Sequence, residues 1–227
     1  MSASLLVIIP SYNEQPAVLR SVVEDWRGPD RDVCVIDDGS NPPLLANDWN
    51  IHLLRHERNR GQGAALRTGL RYGLTQPYQY FISVDADGQH PVENLEAMLH
   101  PLRREEADVV FGSRFKRPQD ARAVPGLRRW VLRAAVRYNN FITGLRMTDA
   151  HNGLRALNRR AAEVLQPTED RMAHASELPL RTRRAGLRWR EVSVHIRYTS
   201  YAAAKGQTLW RAFPLAWELL RLKWRYR

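Results

Sequence analysis

Tyr80-Phe81-Ile82-Ser83-Val84-Asp85-Ala86-Asp87-Gly88-Gln89-His90-Pro91 sets an apolar run directly before two carboxylates spaced two residues apart. The run reads as a buried strand, with Gly88 and Pro91 marking the turn that follows it. Paired acids at a strand end offer hard oxygen ligands beside an open crevice, and Mg²⁺ is commonly held by one or two carboxylates plus substrate phosphates. Such a pair on its own is often just a solvated turn. Here two earlier runs end the same way. Leu5-Leu6-Val7-Ile8-Ile9 leads into Pro10-Ser11-Tyr12-Asn13-Glu14, and Val33-Cys34-Val35-Ile36 leads into Asp37-Asp38-Gly39-Ser40.

Short continuous apolar runs bounded by turn residues suit strands buried on both faces of a parallel sheet. Helical patterns over residues 17–26, 63–72 and 92–102 fall between them, and strand–helix–strand in this rhythm predicts an open α/β sheet with right-handed crossovers. Ligands of such sheets lie outside the carboxyl ends of the strands. Three acid-bearing clusters therefore converge on one edge.

The ordered set Pro10-Ser11-Tyr12-Asn13-Glu14, Ile36-Asp37-Asp38-Gly39-Ser40, Asn59-Arg60-Gly61-Gln62-Gly63-Ala64-Ala65, Asp85-Ala86-Asp87 and Gly112-Ser113-Arg114 resembles that of family 2 glycosyltransferases. The branch it resembles holds dolichol-phosphate mannose synthases and bacterial polyprenyl-phosphate sugar transferases. The likeness is good over about the first 115 residues and looser over residues 126–206. It implies an A-type glycosyltransferase fold: a Rossmann-like, mostly parallel sheet flanked by helices. The expected organisation is one domain over residues 1–207, with a nucleotide-sugar half (1–115) and an acceptor half (116–207). By the same resemblance, Asp87 and Gln89 would reach Mg²⁺ or Mn²⁺, and Asp85 and Ala86 would face the nucleoside. Pro10, Tyr12, Glu14, Ile36 and Asp38 would line the base and ribose of a UDP-, GDP- or dTDP-linked sugar. The Asp37-to-Ser40 segment also reads as a plain turn with a cap. The Gly61-Gln62-Gly63 start of a helix suits an anion or is simply a helix terminus.

Bulk composition narrows the partners. A chain of 227 residues can bury one good core. A single cysteine, Cys34, sits in an apolar run and reads as core, so a disulfide framework is excluded and a reducing compartment expected. No signal-peptide pattern precedes the first strand, and no run approaches the ~20 apolar residues that span a bilayer. The net charge of +11 demands an anionic partner. Nucleic acid is disfavoured, because no helix-turn-helix, zinc-ligand or ribonucleoprotein motif is present. A phosphorylated substrate and an anionic membrane surface remain.

The second half carries candidate acceptor residues. Arg114 follows a strand pattern over residues 108–111 and is expected at the crevice mouth. Residues 126–144 read as an amphipathic helix with Leu127, Trp130, Val131, Ala134, Tyr138 and Phe141 in one stripe. Asp149-Ala150-His151-Asn152-Gly153-Leu154-Arg155 resembles the branch's Asp-x-x-x-Gly-Phe-Arg segment, with Leu154 in the aromatic's place. Glu177, in a helix that opens after Arg171, falls near a family acidic position. Glu177 and Asp149 are candidates for a general base toward an acceptor hydroxyl, or for positioning the acceptor; capping or a structural ion pair is the other reading. Beyond a strand over residues 189–196, Arg197 and Lys205 stand where the family carries a phosphate-closing loop. Tyr198, Tyr201 and Lys205-Gly206-Gln207 depart from the usual pattern there.

Residues 208–227 repeat Trp210, Trp217 and Trp224 every seven positions, with Arg211, Arg221, Lys223, Arg225 and Arg227 around them. A basic helix with a Trp face suits a membrane interface or a partner protein, an integral membrane one included. The expectation is a metal-dependent, inverting glycosyltransferase acting on a polyprenyl phosphate or lipid-linked glycan, peripheral on the cytoplasmic membrane face. Transfer to a saccharide hydroxyl in polysaccharide or lipopolysaccharide assembly is the alternative within enzymes, and a non-catalytic sugar-nucleotide-binding scaffold the alternative outside them.

Overall fold

Successive residues of β1 (Leu5–Ser11) divide between two cores. Leu5, Val7 and Ile9 enter a cluster with Leu19, Trp26 and Met98, while Leu6 and Ile8 enter another with Leu66, Leu70 and Phe81. A strand covered on both faces has no polar side, which is why its sequence shows no alternation. The computed structural model describes residues 4–116, 126–149 and 152–197.

Seven strands join in one sheet around β1: β2 (Arg31–Asp37), β3 (His52–Arg55), β4 (Tyr80–Ser83), β5 (Val109–Ser113), β6 (Arg155–Asn158) and β7 (Trp189–Ser193), in the order β3-β2-β1-β4-β6-β5-β7. All neighbours run parallel except β6, which is antiparallel to both β4 and β5. Helices α1 (Pro16–Trp26) and α3 (Leu95–Arg103) cover one face, and α2 (Gln62–Leu74), α5 (Arg159–Val164) and α6 (His174–Arg184) the other. A further helix, α4 (Gly126–Thr143), packs on α6.

The expected mostly parallel α/β sheet is present, with elements the sequence reading left out. His-Leu-Leu-Arg of β3 is a half-exposed edge strand, too short to show a pattern. β6 opens with Arg155 and α5 is only six residues long, so neither shows the periodicity of its class. The helix read over 92–102 is a 3₁₀ turn (Val92–Asn94) followed by α3. The stripe assigned to α4 is corrected at its described end: Phe141 is 72% exposed, while Asn139, Ile142 and Thr143 face inward. Leu127, Trp130, Val131 and Ala134 have side chains outside the described residues, and residues 198–227, with Lys205 and the helix expected over 208–227, lie outside them altogether. Among the described residues no helix is long and apolar enough to cross a membrane.

Candidate active site

Parallel strands deliver their carboxyl ends to one edge, and the segments after β1, β2 and β4 meet there. Asn13, held at a positive φ of 49°, ties the first two: its amide donates to Ser40 Oγ at 2.9 Å, and its Oδ1 accepts from Asn41 N at 2.9 Å. Asn tolerates this left-handed conformation because its short side chain bonds locally. The reversed strand β6 brings its beginning, not its end, to the same edge. A cleft of about 250 Å³ results, lined by Pro10, Glu14, Gln62, Asp85, Ala86 and Asp87 on one side and by Gly153, Arg155, Met172, His174 and Ala175 on the other.

The two acids of the Asp-Ala-Asp motif sit in different surroundings. Asp85 Oδ1 accepts from Gln62 Nε2 at 2.9 Å, and Oδ2 pairs with His90 Nε2 at 3.0 Å. Burial pushes the Asp85 carboxyl up, but the bond and charge of His90, with the Arg155 charge adding, override it and hold the group below its ordinary range. Asp85 is thus a fixed carboxylate. Asp87 is pushed the other way, first by burial, then by the neighbouring Asp85 charge, with Glu14 adding. Its Oδ1 accepts the backbone amide of Gln89 at 3.0 Å. Asp87, crowded by the Asp85 charge, is the kind of carboxylate whose charge a divalent ion relieves. Among the described residues no group of three or more His, Cys, Asp or Glu side chains is arranged to hold a metal. The donor set fits an ion of the Mg²⁺ kind, bound by one or two protein oxygens and completed by phosphates.

Several expected site residues have other tasks in this geometry. Ile36 is fully buried, packed toward α2 where Gly69 leaves room for its Cδ1, and does not present its side chain to the cleft. Asp38 turns into the following loop, accepting from Arg60 N at 3.0 Å, Gly61 N at 2.7 Å and His56 Nδ1 at 2.6 Å. The start of α2 is not open to an anion, because Ala64 N donates to Asp170 O at 3.0 Å and Gly63 lies hard against Glu169 O. Arg114 does not reach into the crevice mouth. It folds onto Asp149, with Nε to Oδ2 at 2.7 Å and Nη2 to Oδ1 at 2.9 Å, a buried bidentate pair.

Glu177 is corrected as a base. It is 0% exposed, and its carboxylate accepts from Thr168 N at 2.9 Å, Thr168 Oγ1 at 2.6 Å and Glu169 N at 2.9 Å, with Arg181 beside it. It fastens the 168–170 loop to α6, and that loop in turn meets the start of α2. Tyr12 lies exposed, and Arg197 pairs at the surface with Glu93 at 2.7 Å while its amide donates to Gln89 O. Gln62, Gly153, Arg155 and His174 line the cleft, and His90 backs Asp85 from behind it, although none was assigned a role from the sequence. Gln62 was visible as the side chain between two glycines of a recognised motif.

The sheet is thus mostly parallel with one reversed strand, and an acid pair follows its central strand. The Glycosyl transferase family 2 profile matches residues 6–165, and the chain belongs to that family. It is a glycosyltransferase with the A-type fold. An undecaprenyl-phosphate mannosyltransferase of Micrococcus luteus is 32% identical over 84% of this chain and 82% of its own length. A UDP-N-acetylglucosamine–dolichyl-phosphate N-acetylglucosaminyltransferase of Methanococcus voltae is 28% identical over 96% of each. The crystal structure of Staphylococcus aureus TarS 1–349 superposes with a TM-score of 0.61 at 17% identity, over 98% of this chain and 64% of that one.

Proposed function

We propose that the chain transfers a sugar from a nucleotide sugar to a polyprenyl phosphate, with inversion, using Mg²⁺ or Mn²⁺ held at Asp87 and Gln89. The observation that carries this reading is the state of the candidate bases. Glu177 and Asp149, the two acids expected to deprotonate a hydroxyl acceptor, are both buried and engaged. A phosphate acceptor needs neither, because it is already ionised. Its oxygen forms the new bond to the anomeric carbon from the face opposite the nucleoside diphosphate, which departs with the bonding electron pair, and no proton has to be removed. The relatives named for dolichyl and undecaprenyl phosphate support the same acceptor.

A divalent cation at Asp87 would neutralise charge developing on the departing diphosphate. Asp85, fixed by Gln62 and His90, orients the donor, and Pro10 and Glu14 border its nucleoside side. The strongly positive chain and the Trp-bearing basic residues of 208–227 suit attachment to an anionic membrane, where such an acceptor resides. The test is incubation of purified protein with UDP-, GDP- and dTDP-sugars, Mg²⁺ or Mn²⁺ and a polyprenyl phosphate. Labelled lipid is the expected product. Transfer only to saccharide hydroxyls would overturn the acceptor assignment.

A further inference from the structure

Arg155 stands at the cleft with its hydrogen-bonding groups unused among the described residues. As the first residue of β6 it lies opposite Ser83 of β4 and Phe111 of β5. It is 6% exposed, bordering the cleft at one side and a small apolar void lined by Leu66, Leu70 and Phe81 at the other. Among the described residues its guanidinium donates no hydrogen bond, although Asp85 and Asp149 are near enough to act on it electrostatically. Burial lowers its pKa to about 10, so it remains a cation at neutral pH. A guanidinium this far from bulk solvent favours hydrogen-bond acceptors, and the cleft it borders is where they can arrive.

His174 faces the same space from the first position of α6. Its Nδ1 lies 2.7 Å from the carbonyl oxygen of Arg171, which can only accept, so Nδ1 carries the proton. Nε2 therefore presents a lone pair, and among the described residues nothing donates to it. Burial and the nearby Arg155 bring the pKa down to about 4, so the ring stays neutral. A neutral imidazole lone pair needs a partner that bears a proton. An ionised phosphate oxygen has none to give. A sugar hydroxyl has one, and offers its oxygen to a guanidinium as well.

Strand order locates this pair along the donor. β1 supplies Pro10 and Glu14, β4 supplies Asp85 and Asp87, and β6 supplies Arg155, in that spatial sequence. On the function proposed above, on which this inference rests, the nucleoside lies over β1 and the diphosphate at Asp87. The next group along the substrate then falls over β6. We infer that Arg155 and His174 form the recognition site for the sugar of the donor, Arg155 donating to its oxygens and His174 Nε2 accepting from one of its hydroxyls.

The test is calorimetric binding to the full chain with Mg²⁺, comparing UDP, GDP and dTDP with the corresponding nucleotide sugars. In Arg155→Met and His174→Phe, nucleoside diphosphate affinity should stay within about twofold of wild type, while nucleotide-sugar affinity falls about tenfold, as for one lost hydrogen bond. Unchanged diphosphate affinity also shows that the variant has folded. His174→Gln, which keeps a donor and an acceptor, should recover part of the loss. A second measurement needs no variant: in wild type, a donor lacking the contacted hydroxyl should bind about tenfold more weakly, and His174→Phe should not distinguish the two. Equal losses for diphosphate and nucleotide sugar would overturn the assignment in favour of a diphosphate site. So would a deoxy-sugar series in which no position matters to wild type. If wild type binds no nucleoside diphosphate at all, the proposed donor itself fails, and the sugar site with it.

Discussion

Gly153 backs directly onto Asp85: a β-carbon at Gly153 would overlap both carboxylate oxygens. Ser83 Oγ holds this approach by donating to Gly153 O at 2.8 Å. Asp85 cannot retreat without giving up Gln62 or His90. Gly153→Ala should therefore cost about 1–3 kcal/mol of stability through overpacking and lower kcat/KM by about tenfold or more, a displacement of the motif by a fraction of an ångström being enough. Full activity in that variant would show that the Asp85 position is not critical.

Asp87 lies at a strand end, outside both cores. Asp87→Asn should keep the fold and lose roughly 10²-fold or more of turnover, through loss of the charge that holds a cation against the diphosphate. Undiminished activity of Asp87→Asn in the presence of chelator would end the metal proposal.

Glu177→Gln should act on stability and not on the pH–rate profile. The carboxylate accepts from two backbone amides and a hydroxyl, and exchanging one oxygen for an NH₂ group sets a donor against donors. A loss of about 1–3 kcal/mol is expected for such a buried mismatch, read from denaturant unfolding. An unaltered unfolding curve together with a shifted pH–rate profile would restore Glu177 as a base.

Asp108 supplies the clearest pH dependence of stability. Arg188 bonds its carboxylate through Nε, Nη2 and the backbone amide, and Asn158 Nδ2 adds another bond, holding the pKa at about 2. The unfolded value is ~3.9. A depressed folded pKa contributes stability fully above the unfolded value and loses it as pH falls toward about 2. Because Arg188 is half exposed, the contribution is on the order of 1 kcal/mol. Asp108→Asn should be less stable than wild type at pH 7, with the gap closing between about pH 4 and 2. A gap independent of pH would refute this assignment.

Replacing Trp210, Trp217 and Trp224 together by Ala in the full chain should weaken binding to anionic vesicles at least tenfold, because apolar insertion is lost while only the Lys/Arg attraction of about 1 kcal/mol each remains. Nucleotide binding should persist. Equal vesicle binding by both proteins would remove these residues from the membrane proposal.

The strands β1, β2 and β4 and the acid motif were legible because burial on both faces writes itself as unbroken apolar runs, and a sheet edge as acids and glycines after them. β6 was not, since its first residue is an arginine that serves the cleft. The sequence was less informative at Ile36, Asp38, Arg114, Asp149 and Glu177, whose side chains turn away from the cleft. Motif position says which loop a side chain belongs to, but not whether that side chain turns toward substrate or into the loop. Asp38 and Glu177 turn inward because unpaired backbone amides at Arg60, Gly61, Thr168 and Glu169 require acceptors. That demand arises only once the loops are folded.

The reversal of β6 separates two kinds of change in this chain. In a wholly parallel sheet, residues ahead of a strand lie at the far edge, away from chemistry. Here the segment leading into β6 borders the cleft, while the segment leaving it, capped by Asn158 and bound to Asp108, lies at the opposite edge. On the proposals above, changes to the cleft-facing side chains of this stretch would act on the donor site so long as Leu154, fully buried in a core, is kept, and changes after Asn158 would act on packing instead. One inverted strand thus gives evolution, or a protein engineer, independent handles on what the molecule prefers and how well it holds together.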